Sequence, residues 1–325
     1  MGRSTQRIFI GTVIVVLTTA GLSVSAAPRG RQATAAPIYL PVVRSVDQSK
    51  LAFVGITSGA IHTVLFVLAQ TGGLPVELPN NCGTDAYAPA WSPDGQRLAF
   101  VTSDMPRILC IVNADGSHPV HVLQSMFTAG AQELAWSPDG SRIALSATPD
   151  GNADHREIVV LNVDGTNPQR LTATTQSDRN PSWSPDGREL VFASTRSTGP
   201  GIYRMNAYGT NQRQIAGTDA HDVDPAWSPD GQRIAFSSSR NLAVGRRIYV
   251  MDSDGQHVKP ATHTANGVTY TESEPTWSPD SLRIAYTVQE VLAHASGVRF
   301  GTIDGSAPPS VVNVAWSATP EWSRR

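Results

Sequence analysis

Trp183-Ser184-Pro185-Asp186-Gly187-Arg188-Glu189-Leu190-Val191-Phe192 is the stretch that decides the fold. Pro185 sets φ for the first turning residue, Asp186 tolerates the bridge region, and Gly187 supplies the left-handed conformation that closes a hairpin. The phrase is therefore a tight reversal between two strands. It recurs at Trp91, Trp136 and Trp227, and at Trp277-Ser278-Pro279-Asp280-Ser281 only the last residue changes. Successive tryptophans stand 45, 47, 44 and 50 residues apart, a spacing that suits four-stranded propeller blades and exceeds most helical repeats.

Each turn is followed by a short apolar, β-branched or aromatic run: Leu98 to Val101, Ile143 to Leu145, Leu190 to Phe192, Ile234 to Phe236 and Ile284 to Tyr286. Runs of this kind bounded by turn residues predict buried strands. A second hairpin signal of the Asp-Gly type ends at Gly116, Gly165, Gly255 and Gly305, with a third strand before it and a fourth after it. Four antiparallel strands per unit make a propeller blade.

Asp47 to Phe53 matches Asp94 to Phe100 in spacing, so the repeat starts in mid-blade, lacking its tryptophan strand. Trp322 lies 45 residues beyond Trp277 and follows Pro320 as Trp227 follows Pro225. The expectation is an all-β, six-bladed propeller in which the C-terminal strand completes the N-terminal blade and leaves no free sheet edge. Its repeated tryptophans, Trp91, Trp136, Trp183, Trp227, Trp277 and Trp322, are assigned to packing, because a residue needed in every blade is needed by the blade.

Arg3 and Arg7 precede an uncharged apolar stretch from Ile8 to Val24 and the small residues Ser25, Ala26 and Ala27. This layout predicts a secretory signal over residues 1–26, with an uncleaved membrane anchor as the alternative. Residues 27–45, with Pro28, Pro37 and Pro41, read as an extended linker, and 46–325 as the propeller. The full chain holds 25 basic and 27 acidic residues. Loss of the leader removes two arginines, so the mature protein is mildly acidic, has no Lys/Arg run, and is a poor candidate for nucleic-acid binding. A secreted or periplasmic monomer with no transmembrane segment after cleavage is expected. In an exported chain the two cysteines, Cys82 and Cys110, permit one disulfide; alternatively Cys110 is a small core residue.

The pattern Pro-x-Trp-Ser-Pro-Asp-Gly-x-x-Ile-Ala-Phe, followed by a strand such as Ile248-Tyr249-Val250-Met251 and then Asp-Gly, resembles the repeat of the TolB-like propeller family over residues 47–325. The resemblance implies six blades and a periplasmic docking platform for envelope proteins. In TolB the propeller follows a smaller α/β domain. Here only about twenty residues separate the expected cleavage site from the first blade strand, so that domain is expected to be missing.

Function is expected where blades differ, in the loops entering the tryptophan strands, which carry Asp85, Glu133, Asp178, His221, Asp222, Asp224, Glu272 and Glu274. Three residues before the tryptophan stand Ala88, Glu133, Asn180, Asp224, Glu274 and Thr319 in turn. Carboxylates gathered at one mouth would focus a negative field able to receive a cation or a basic peptide. Alternatively they are solvated, or pair with neighbouring arginines and backbone N–H groups. Asp150-Gly151-Asn152-Ala153-Asp154 begins like a calcium loop, but Leu161 occupies the place of its closing Glu.

Neither Gly-x-Ser-x-Gly nor His-Glu-x-x-His occurs, and the eight histidines have no ligand-like spacing. No cofactor or metal is expected. The reading is a non-catalytic scaffold that binds a protein, peptide or glycan through its axial loops. Its alternative is a carbohydrate lyase or hydrolase using the axial acids with a metal.

Overall fold

In the computed structural model, residues 13–18, 21–26, 51–56, 63–68, 76–79, 82–83, 85–103, 108–123, 132–148, 155–196, 200–216, 221–240, 245–262, 270–290, 296–303, 310–314 and 318–322 are described. They contain strands and turns and no helix, hence none long and apolar enough to cross a membrane. The expected linker 27–45 and the calcium-like segment 150–154 lie outside the described residues. Within the expected signal, β1 (Val13–Thr18) and β2 (Gly21–Ala26) pair as a two-stranded antiparallel sheet of their own.

Residues 51–77 supply β3 (Leu51–Ile56), β4 (Thr63–Leu68) and β5 (Val76–Glu77). Five blades follow, each from an unbroken run of chain. The first comprises β6 (Ala86–Trp91), β7 (Arg97–Thr102), β8 (Leu109–Asn113) and β9 (Val120–Leu123). The second has β10 (Gln132–Trp136), β11 (Arg142–Ala147), β12 (Glu157–Asn162) and β13 (Gln169–Arg170). β14 (Asp178–Trp183), β15 (Glu189–Ser194), β16 (Gly201–Asn206) and β17 (Arg213–Ala216) form the third. In the fourth are β18 (Val223–Trp227), β19 (Arg233–Ser238), β20 (Arg247–Asp252) and β21 (Lys259–Pro260). The fifth holds β22 (Tyr270–Trp277), β23 (Arg283–Glu290), β24 (Ser296–Thr302) and β25 (Ser310–Val314).

The last strand, β26 (Ala318–Trp322), pairs antiparallel with β3, Trp322 opposite Leu51 and Ala318 opposite Val54, giving a further four-stranded sheet in the order β26-β3-β4-β5. The expected six blades are thus corrected in one respect: contiguous blades number five. The remaining sheet is composite, because β3 has no tryptophan strand before it in sequence and takes one from the far end of the chain.

The repeated phrase builds its turn twice over. Ser92 Oγ donates to Asp94 Oδ1 at 2.6 Å and accepts from Arg97 N at 2.8 Å, while Gly95, at φ +66°, donates its N–H to Ser92 O. The same serine and aspartate bonds recur from Ser137, Ser184, Ser228 and Ser278. In the fifth blade Ser281 takes the glycine's place at φ +59°, and its hydroxyl accepts from Asp230 N at 3.0 Å in the neighbouring turn.

The core lies in the seams between blades. One cluster joins Val101, Leu109 and Ile111 of the first blade to Trp136, Ile143 and Leu145 of the second, and equivalent clusters head the next seams with Trp183, Trp227 and Trp277. The indole N–H groups of Trp136, Trp183 and Trp277 donate to Ala90, Ala135 and Ala226 carbonyls of the preceding blade. Arg97, Arg142 and Arg233 lie 5.0, 4.7 and 5.8 Å from the ring centroids of Trp136, Trp183 and Trp277. In the third blade Glu189 replaces that arginine; it pairs with Arg204, which covers Trp227 instead. Trp136, Trp183 and Trp277 therefore work across a blade boundary, combining burial with an indole donor and a cation–π contact, whereas the Trp227 indole donates to Gly231 O in its own turn.

Candidate functional site

The innermost strand of every contiguous blade is broken by a bulge. Pairing shifts register between Tyr87 and Ala90, Gln132 and Leu134, Arg179 and Ser182, Val223 and Ala226, and Ser273 and Thr276. At each bulge one residue adopts a left-handed backbone: Ala88, Glu133, Asn180, Asp224 and Glu274, with φ between +48° and +54°. Proline follows in four of the five, at Pro89, Pro181, Pro225 and Pro275, and disfavours a right-handed helical conformation in the residue before it. A bulge re-aims the side chain it carries. Here all five residues line one central cavity of about 180 Å³.

Three of the five are acids, on three blades. Glu133 Oε1 accepts from Arg156 Nη1 at 3.1 Å and Oε2 from Ser146 Oγ. Burial pushes its carboxyl up to about 7; Arg156 and Arg179 oppose this, and the charges of Asp224 and Glu274 add to it. Burial likewise raises Asp224, against the Glu274 N–H at 3.3 Å and the charge of Arg246. Glu274 Oε2 accepts from Thr287 Oγ1 at 3.0 Å. Desolvation and mutual repulsion make this a cavity that gains from a positive guest.

Four other expected site residues hold blades together away from the cavity lining. Asp85 accepts from Thr63 N at 2.6 Å and Ser103 Oγ at 2.8 Å. Asp178, Asp222 and Glu272 are buried and paired with Arg196, Arg240 and Arg247 at 2.7, 2.8 and 3.0 Å. Their N–H groups donate to Arg156, Pro200 and Arg246 carbonyls of the preceding blade. His221, beside Asp222, is exposed at φ +46°. The eight residues therefore fall into a cavity set of Glu133, Asp224 and Glu274, a seam set of four, and one surface histidine. Sequence reasoning missed Arg156 and Arg179, which temper Glu133. Arg179 immediately follows Asp178 on β14, and that adjacency was the available signal.

Cys82 and Cys110 form a disulfide with Cα atoms 6.3 Å apart, both buried where the composite sheet packs on the first blade. Among the described residues no group of three or more His, Cys, Asp or Glu is spaced to hold a metal ion.

Residues 43–324 match the pattern of the family described as TolB beta propeller domain. The protein TolB homolog of Chlorobium luteolum is 32% identical over 162 residues, 49% of this chain and 35% of that protein. The Tol-Pal system protein TolB of Bordetella pertussis is 26% identical over 170 residues, 50% and 36% of the two chains. The match thus spans about a third of these relatives' length. Among solved structures, TolB from Acinetobacter baumannii superposes with a TM-score of 0.70 at 19% identity, covering 85% of this chain and 67% of that one. A chain of the nidogen/laminin complex gives 0.65 at 11%, over 85% and 98%. Oligogalacturonate lyase in complex with manganese gives 0.57 at 14%, over 81% and 85%. At these identities the structural likenesses establish the fold.

Proposed function

Because the chain belongs to the TolB beta propeller domain family, we propose that it is an exported, non-catalytic scaffold whose axial face binds a protein, peptide or glycan. The cavity takes a cationic group of that partner. The composite sheet serves as a sixth blade, so that one closed ring surrounds the cavity and fixes the separation of its acids. Secretion or periplasmic residence agrees with the N-terminal leader pattern and with the Tol-Pal names of the relatives.

The observation that carries the reading is the placement of Glu133, Asp224 and Glu274 on left-handed bulges that turn three carboxylates into one cavity. A chain that folds with backbone strain and buried acids at the same positions has accepted two costs in one place, and such costs concentrate at binding sites. The lyase alternative draws on fold likeness alone, which does not carry an activity.

The test is Asp224→Asn combined with Glu274→Gln, followed by calorimetric titration with an oligolysine peptide and pull-down from native envelope. The wild type should bind in a salt-sensitive manner. The double variant should bind about tenfold or more weakly, roughly 1.4 kcal/mol, and lose its captured partner. Equal affinity in a variant that melts normally removes the cavity from the proposal.

A further inference from the structure

One seam departs from the repeat. In β15 and β19 the ninth residue past the tryptophan is Phe192 or Phe236, facing Tyr203 or Tyr249 on the next strand. Arg196 and Arg240 cover these ring pairs at 4.7 to 5.3 Å and reach Asp178 and Asp222. In β23 the same places hold Tyr286 and Arg299. The carboxylate at the Asp178 place is Glu272, and its guanidinium comes from the preceding blade: Arg247, standing where earlier blades have Glu157 and Gly201. Three departures gather here: Tyr286 pairs with Arg299 across the strands, the charges of Arg247 and Arg299 both act on its phenol, and all are buried, Arg247 3% exposed, Tyr286 0% and Arg299 8%.

Hydrogen bonding there is one-sided. Glu272 is fully engaged, by Arg247 Nη1, Ile248 N and Thr262 Oγ1. Arg247 Nε, Arg247 Nη2 and the Tyr286 hydroxyl are buried with no hydrogen-bond partner among the described residues. At the corresponding seams the leftover atoms include acceptors: Asp178 Oδ1 beside the donor Arg196 Nε, and Asp222 Oδ1. Burial pushes the Tyr286 phenol well above its ordinary range, helped by the Glu272 charge, so it keeps its proton. Buried donors without acceptors cost more than a hydrogen bond gains, and the Nε–Nη2 edge of a guanidinium is an anion-binding fork.

We propose that the seam between the fourth and fifth blades holds a small monovalent anion of the halide class, gripped by the Nε–Nη2 edge of Arg247 and the Tyr286 hydroxyl. Arg299 adds positive field beside Tyr286. The side chains that would hold the anion are buried, which favours a small ion over a bulky one. It ties two blades together and is independent of the cavity and its partner.

Crystals grown or soaked in sodium bromide should show an anomalous peak within hydrogen-bond distance of Arg247 and Tyr286. In solution the melting temperature should rise saturably when chloride replaces gluconate at constant ionic strength. Tyr286→Phe should keep the fold, since Phe192 and Phe236 fill the same place in neighbouring blades, and should lose most of the chloride response. A water at the locus with no bromide overturns the proposal. So does bromide density without a chloride-dependent melt, which marks an adventitious ion only, and so does an unchanged response in Tyr286→Phe.

Discussion

Glu133 combines a left-handed backbone, which costs a residue with a Cβ about 1–2 kcal/mol, with a carboxylate that burial lifts to about 7. In the unfolded chain the same group titrates near 4.5. Below that pH it is protonated in both states and costs nothing. Between about 4.5 and 7 the unfolded chain releases its proton while the folded chain keeps it, so stability falls as pH rises, and the loss levels off above 7. With a side chain 23% exposed to the channel, the full effect is at most about 3 kcal/mol. The turn aspartates Asp94, Asp139 and Asp186 act oppositely: serine hydroxyls hold them below their ordinary range, so their contribution is lost only as pH falls beneath about 4. Glu133→Gln should therefore flatten the decline between pH 4.5 and 7 and raise stability at pH 8. Urea melts of both proteins across that range provide the measurement; parallel curves would refute a buried, proton-holding Glu133.

At the scale of the element, the two turns of each of the first four blades contain glycines of different standing. Gly140, in the tryptophan turn, has φ +68°, and a Cβ there would meet nothing nearer than Pro93 Cδ at 3.7 Å. Gly165, in the outer turn, has φ +83°, and a Cβ would stand 2.1 Å from the Val122 carbonyl oxygen of the preceding blade. Gly140→Ala should cost only the left-handed penalty, about 1–2 kcal/mol. Gly165→Ala must also push two blades apart and should cost more than about 3 kcal/mol, readable as separated midpoints in denaturant. Similar midpoints for the two would contradict this seam geometry. The turns themselves were legible, because Pro185, Asp186 and Gly187 fix their backbones locally, and the pairing of the Trp322 strand with Leu51 followed from matched spacing. The bulges were not. Inserting one residue into a strand leaves no compositional mark beyond the proline after it, yet the bulge sends Glu133, Asp224 and Glu274 into the channel. Asp178, Asp222 and Glu272, two residues earlier or at the equivalent place in the same loops, stay in the seams. Acids alike in one dimension thus separate into a cavity set and a packing set.

For the molecule as a whole, the decisive contact is the one with the greatest sequence separation. Because each core cluster among the described residues straddles two neighbouring sheets, each sheet draws its stability from its neighbours, and an array of such units is as secure as its last seam. β26 packs against β22 on one side and β6 on the other while pairing with β3, so a five-residue strand connects both ends of the chain. Deleting residues 318–325 removes the pairing partner of β3 and leaves its backbone edge open, the arrangement that recruits other chains. The truncated protein should melt at least about 5 °C lower, since each kcal/mol shifts a domain of this size by roughly 2–4 °C. It should also self-associate with rising concentration in light scattering. A synthetic peptide covering 315–325, added in trans, should restore both properties by refilling the vacated edge. A truncated chain that stays monomeric and melts as before would show that the fold does not depend on the β26–β3 pairing.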